Sequence, residues 1–244
     1  MDRELDTIEK QFFEIVSTIA VTRKIRLTGE AGTHWLFQLE NESVQAISTP
    51  LHVSFLSGIS GVGKSSIGIQ LEADNFQKVP NVTTRLKRSE ERNHDYHFLT
   101  ISEFQRFEQD NELFHPHQRN EVWHAIKKSD ISLMLRSEGK LYMDKSISSI
   151  KELFCEYPNL KNTSVCFYIL PPSIQELFCR ISNREVSRGN LNHLSNVDII
   201  QRFKEEIADF SLSSKMKCVY LVNDDLKRVV SIIKNSVECI TISK

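Results

Sequence analysis

The segment GISGVGKS, Gly58 to Ser65, constrains the chain more than any other. It satisfies G-x-x-x-x-G-K-[ST] and stands between a continuous apolar run, LHVSFLS (51–57), and a stretch from Lys64 to Leu71 that reads as a helix. A run apolar on both alternations suits a strand buried on both faces. A glycine-rich turn from such a strand into a helix lets successive N–H groups point at phosphate oxygens. The helix adds its positive N-terminal dipole. Gly58, Ser60, Gly61, Val62, Gly63, Lys64, Ser65 and Ser66 are therefore expected to surround the phosphates of ATP. Lys64 is expected to reach the β- and γ-phosphates, and the Ser65 hydroxyl to ligate Mg²⁺. A chance glycine turn would fit the bare motif, but the strand before it and the helix after it argue against chance.

Around this loop the chain alternates strand and helix. Apolar residues at Leu5, Ile8, Phe12, Ile15, Val16 and Ile19 predict an amphipathic helix over 3–20, and 24–48 read as a β-hairpin. Ser48-Thr49-Pro50 breaks the pattern, which divides the chain into an appendage, 1–49, and a main domain, 50–244. In the main domain 78–84 are extended. Helices are predicted over 103–110, 125–137, 147–155, 173–187, 197–213 and 226–239. Strands are predicted over 140–144, 164–170 (SVCFYIL) and 217–223. Such alternation predicts a parallel sheet covered by helices on both faces.

Bulk properties narrow the partners. The 244 residues carry a net charge of −1, so no general attraction to nucleic acid or to an anionic membrane is expected. No run approaches the roughly 20 apolar residues that cross a bilayer, and the charged N-terminus lacks the apolar core of a signal peptide. The five cysteines are odd in number and scattered, which suggests buried thiols in a reducing cytoplasm. His94, His97, His115, His117 and His124 crowd one region. They lack a Cys or a helical His-x-x-x-His pair, so they make a poor zinc set.

The segments after the loop resemble guanylate kinases. Thr83-Thr84-Arg85 with Arg88, then Asp95-Tyr96-His97-Phe98, then Glu103-Phe104 are similar to the nucleoside-monophosphate-binding region of that family. Pro171-Pro172-Ser173 with Leu177 and Arg180 is similar to its element before the lid, and Asn223-Asp224-Asp225-Leu226 to the end of its last strand. The resemblance covers 51–240. It implies a P-loop NTPase three-layer α/β fold with NMP-binding and lid insertions, and an ATP- and Mg²⁺-dependent phosphotransferase with a small phosphorylated acceptor. Arg85, Arg88 and Tyr96 would clamp the acceptor phosphate, as two guanidinium groups and a phenol can, although loop arginines are often merely solvated. Arg180, Arg184 and Arg202 would neutralise the transferring phosphoryl group. Arg188 has no counterpart. Asn223 would lie near the adenine.

The departures fall on the side that reads the base. The family's guanine-binding glutamate is replaced by His115, whose neutral ring has one donor and one acceptor. A tyrosine-glycine pair is replaced within Trp123-His124-Ala125, and a serine near Asn81. Asp144 keeps an acidic position, or else caps the helix after it, while a second aspartate is replaced by Ser146. A site that loses a base-reading partner can change its selectivity by about 10⁴. The acceptor is therefore expected to be GMP or a related nucleotide or sugar phosphate, bound through Asn81, Arg85, Arg88, Tyr96, His115 and Asp144. A catalytically silent module that binds a nucleotide or a phosphorylated protein is the alternative, opposed by the intact Lys64-Ser65 pair. The appendage is expected to pad the sheet edge or to form a homodimer contact.

Overall fold

The computed structural model describes residues 51–119, 121–187, 209–213, 215–216 and 218–238, together with Lys10, 26–28 and 36–38. Arg26–Thr28 (β1) and Leu36–Gln38 (β2) pair antiparallel, as the hairpin reading requires. The helix expected over 3–20 and most of that over 197–213 lie outside the described residues.

Val53–Ser57 (β3) is buried along its whole length. It feeds Lys64–Ala73 (α1) and then Gln77–Lys78 (β4). Asn81–Thr83 (β5), Tyr96–Phe98 (β6), Ile101–Gln109 (α2), Leu113–Arg119 (β7) and Val122–Lys127 (β8) form an insert. Lys128–Arg136 (α3), Leu141–Asp144 (β9), Ile147–Glu156 (α4), Pro158–Asn162 (α5) and Ser164–Leu170 (β10) return the chain to the core. Ile174–Ser187 (α6), Cys218–Val222 (β11) and Leu226–Glu238 (α7) complete it.

The main sheet has the order β11-β10-β3-β9-β4, with every pair parallel. The chain leaves β3 in the middle, visits β4 and β9 on one side, and then crosses to β10 and β11 on the other. Such a reversal opens a crevice at the carboxyl ends of the strands, where the loop Gly58–Ser65 lies. Gly68 lets α1 press onto β9, since a Cβ there would sit 2.7 Å from the Tyr142 hydroxyl.

The insert is a second sheet, β6-β5-β8-β7, over its own small core of Val82, Phe104, Leu113 and Ala125. The helix expected over 125–137 begins at Lys128 instead. Val122, Trp123 and Ile126 have strand-favouring side chains, and pairing with β7 and β5 extends β8 to Lys127. The α2 helix starts with a capping box, Thr100 Oγ1 accepting from the Glu103 N–H and Glu103 accepting from the Thr100 N–H. Ser146, not Asp144, caps α4. Asp209 adds a second cap from far along the chain, its carboxylate accepting from the backbone N–H of Ile147 (2.9 Å) and Ser148 (3.0 Å). Of the four described cysteines, Cys166 and Cys218 are buried as expected, whereas Cys155 and Cys179 are exposed.

A charge network ties the insert to the core. Arg92 binds both Glu72 of α1 and Asp95, and Lys78 of β4 lies 3.0 Å from Asp95. Tyr142 donates to Glu72 (2.5 Å). Burial alone would raise the Asp95 pKa, but Arg92 and Lys78 outweigh it and hold the carboxyl well below its ordinary 3.8. A depressed native pKa gives stability that is full above the unfolded value and lost as pH falls through the native one. Acidification below about pH 4 is thus expected to loosen the insert. Hydrogen exchange at β5 and β6 should rise there, and less so in Asp95→Asn. A flat exchange profile between pH 5 and 2.5 would refute this.

Candidate functional site

The loop after β3 is built from conformations that side chains resist. Gly58, Gly61 and Gly63 have φ of 132°, 93° and 98°. A Cβ on Gly61 would stand 2.8 Å from Ile181 of α6, and one on Gly63 would stand 2.4 Å from the Asn223 amide. The loop is therefore wedged between α6 and the end of β11. Gly63 caps α1 without a side-chain bond, and the first turn of α1 holds no acidic residue. The first-turn N–H groups remain available to an anion.

Several expected residues gather here. Lys64 curls over the loop, its Nζ 2.5 Å from the Gly58 carbonyl and 3.2 Å from that of Ile59. Arg184 reaches Ser60 Oγ at 3.4 Å, and Arg180 reaches the Asn223 carbonyl at 3.3 Å. Ser65 and Ser66 are exposed in the first turn of α1. Asn223 is buried, and its amide donates to the Val62 carbonyl at 2.7 Å. That amide is committed to holding the loop, a role the sequence reading did not assign. Arg202 lies outside the described residues. The glycine conformations, the uncapped helix and Lys64 fit a polyphosphate, and the Ser65 hydroxyl suits a hard, oxygen-seeking cation such as Mg²⁺.

The residues expected to bind the acceptor form a second group. Arg85 stacks on Tyr96, its guanidinium 4.9 Å from the ring centre. Arg85 is held by both oxygens of Glu91, one at 2.7 Å. The Arg88 N–H donates to the same carboxylate at 2.9 Å, and the Arg88 side chain lies 3.9 Å from it. A carboxylate thus fills the arginine pair that the sequence assigns to a phosphate. Burial opposes the Arg85 charge, but Glu91 outweighs it and raises its pKa. Burial, with the Asp144 carboxylate, raises that of the Tyr96 phenol.

His115 lies beside a bulge between Phe114 and His117 and at a positive φ of 52°. Its Nε2 donates to Glu152 at 2.7 Å. The rings of His115 and His117 stack 4.8 Å apart, and that of His124 lies 5.7 Å from His117. Burial, with His117 and Lys145 nearby, pushes the His124 pKa down to about 4. The ring is neutral at pH 7. Asn81 donates to the Asp144 carbonyl at 2.8 Å. Among the described residues the close metal-type cluster is elsewhere: Glu72, His94 and Asp95, within 4.8 Å. Arg92 already supplies the cation between those carboxylates.

A parallel sheet with a phosphate loop at its reversal point, a mixed-sheet insert carrying an arginine pair, and an arginine-bearing helix over the loop define a P-loop nucleoside-monophosphate-kinase-like phosphotransferase. The family model for guanylate kinase matches residues 50–239, and the chain belongs to the guanylate kinase family. The guanylate kinase of Mesomycoplasma hyopneumoniae (strain 7448) is 29% identical over 182 residues, covering 72% of this chain and 88% of its own. That of Aster yellows witches'-broom phytoplasma is 26% identical over 187 residues, covering 73% and 83%. The crystal structure of guanylate kinase from Anaplasma phagocytophilum superposes with a TM-score of 0.56 at 19% identity, over 80% of this chain and 88% of that one. At that identity it speaks for the fold alone. No described helix is long and apolar enough to cross a membrane.

Proposed function

We propose that the protein moves the γ-phosphate of ATP onto the phosphate of a small acceptor, GMP or a related nucleotide or sugar phosphate. The observation that carries this reading is the presence in one domain of two groups suited to anions. One is the glycine loop with Lys64, and the other is the Arg85–Arg88 pair, which already grips a carboxylate. Ser65 would hold Mg²⁺, which supplies Lewis-acid neutralisation of the β- and γ-phosphate charge. Lys64 orients the phosphoryl group and, with Arg180, Arg184 and Arg202, stabilises charge as it spreads over the equatorial oxygens. Arg85, Arg88 and Tyr96 align the acceptor phosphate for in-line attack. An acceptor phosphate is anionic at neutral pH, so no general base is required. Residues 1–49 act as an appendage to the domain over 50–244.

The test is ATP consumption against a panel of nucleoside monophosphates and sugar phosphates. One or more should turn over. Arg85→Ala should raise the acceptor KM about tenfold to a hundredfold, the loss expected for one charge-assisted bond pair, with the ATP KM little changed. ATP binding with no turnover on any acceptor would favour a binding module. An unchanged acceptor KM in Arg85→Ala would remove Arg85 from the clamp.

A further inference from the structure

Lys145 follows Asp144 at the carboxyl end of β9, and its backbone N–H donates to Leu56 of β3 at 3.0 Å. That bond sets its backbone beside the phosphate-loop strand. Its side chain is half-buried, and desolvation pushes its pKa down to about 8 against the pull of Asp144 and Glu152. Neither carboxylate comes within ion-pair distance. The Glu152 oxygen at 2.7 Å belongs to His115 instead. Among the described residues the Lys145 side chain has no hydrogen-bond or ion-pair partner.

The groups around it are also incomplete. His117 and His124 feel the Lys145 charge. The His117 Nδ1 faces the His115 carbonyl at 2.9 Å, so it carries the proton. The His115 Nε2 meets Glu152 at 2.7 Å, and its Nδ1 is buried with no hydrogen-bond partner. Asn81 spends its amide N–H on the Asp144 carbonyl, which leaves Oδ1 buried in the same condition. Among the described residues the cluster therefore holds one cation without an ion-pair partner and two buried polar atoms without a hydrogen bond. Buried polar atoms are costly unless something completes them.

We propose that the acceptor carries a second anionic group, distinct from the phosphate held by Arg85 and Arg88, and that Lys145 binds it while Asn81 Oδ1 and His115 Nδ1 accept O–H or N–H donors beside it. This rests on the reading of the crevice as an acceptor site. The anion has two chemical sources: a carboxylate on a nucleobase or a second phosphate on a sugar. In either case Lys145 contributes selectivity that the family motif does not predict.

Calorimetric titration of the full chain tests this with two matched pairs. Orotidine and uridine 5′-monophosphates differ by one carboxylate, and ribose 1,5-bisphosphate and ribose 5-phosphate by one phosphate. At pH 7 the more anionic member of at least one pair should bind about tenfold tighter or more. The pair that responds identifies the source. Lys145→Met should erase the preference, and Lys145→Arg should keep most of it. Equal affinities within both pairs would overturn the proposal. So would an equal loss across all four probes in Lys145→Met, because Lys145 would then serve the shared phosphate. Should Lys145→Met not fold, the wild-type pH profile decides. Asp144, Glu152, His115, His117 and His124 surround the ammonium, whose pKa stands at about 8, while those of His117 and His124 are pushed below the ordinary 6.5. The preference should fall as pH rises through about 8, and a constant preference from pH 7 to 9.5 would overturn the proposal. A preserved preference with no ATP turnover on any acceptor would instead sink the phosphotransfer reading alone.

Discussion

Lys64→Ala is expected to lower turnover about a thousandfold, the upper range for removing one preorganised donor from a developing charge, while the melting temperature shifts by only a few degrees. The reasoning is geometric. Lys64 sits at the start of α1 with its Nζ over the glycine loop, and its two partners are loop carbonyls, not core groups. Alanine suits the helix at least as well as lysine, so the fold does not depend on the side chain. The loss should fall on kcat, because the ammonium matters most when charge has spread over the transferring group. A variant within about tenfold of wild type would show that Lys64 does not carry this role.

The largest stability effect is expected at Gly58. A Cβ there would lie 2.3 Å from the Ile169 carbonyl oxygen, and φ is 132°. The obstruction is backbone of a buried strand, so no rotamer change relieves it. Positive-φ strain and overpacking together should cost about 3 kcal/mol or more in Gly58→Ala. A large fall in the denaturation midpoint should accompany loss of ATP binding. Gly139 provides the contrast. Its nearest obstacle is the Ser137 hydroxyl at 3.3 Å, and its φ is ordinary. Gly139→Ala should change stability by about half a kcal/mol or less. Equal stability of the two variants would mean that the loop does not need the backbone conformation described.

What the sequence reveals depends on how local the cause is. The strand at 164–170 is legible to the residue, because an unbroken apolar run suits a strand buried on both faces. The phosphate loop is legible for the same reason, since its chemistry is contained in eight adjacent residues. The insert is much less so. Its strands β5 and β6 are three residues each, too short to show a period, and β8 is a strand because β7 and β5 lie on either side of it. The Asp209 cap on α4 spans 62 positions and leaves no local signature. Among the site residues, Arg85 and Tyr96 can be named from their motif, whereas Glu91 between the arginines cannot. Its place depends on how the loop from 84 to 95 folds back. Lys145 shows no motif at all. It becomes visible only when its partners can be counted.

The carboxylate in the arginine pair changes how an acceptor would arrive. Arg85 is desolvated, stacked on Tyr96 and aimed before any ligand comes, so the cost of dehydrating and ordering it belongs to folding. On the proposed function an entering phosphate would exchange with Glu91 instead of filling bare charge. Its affinity is then a difference between two anions, smaller than either grip alone. Such a clamp would hold firmly enough to align a reactant, yet would hand the product back to solvent by the same exchange in reverse.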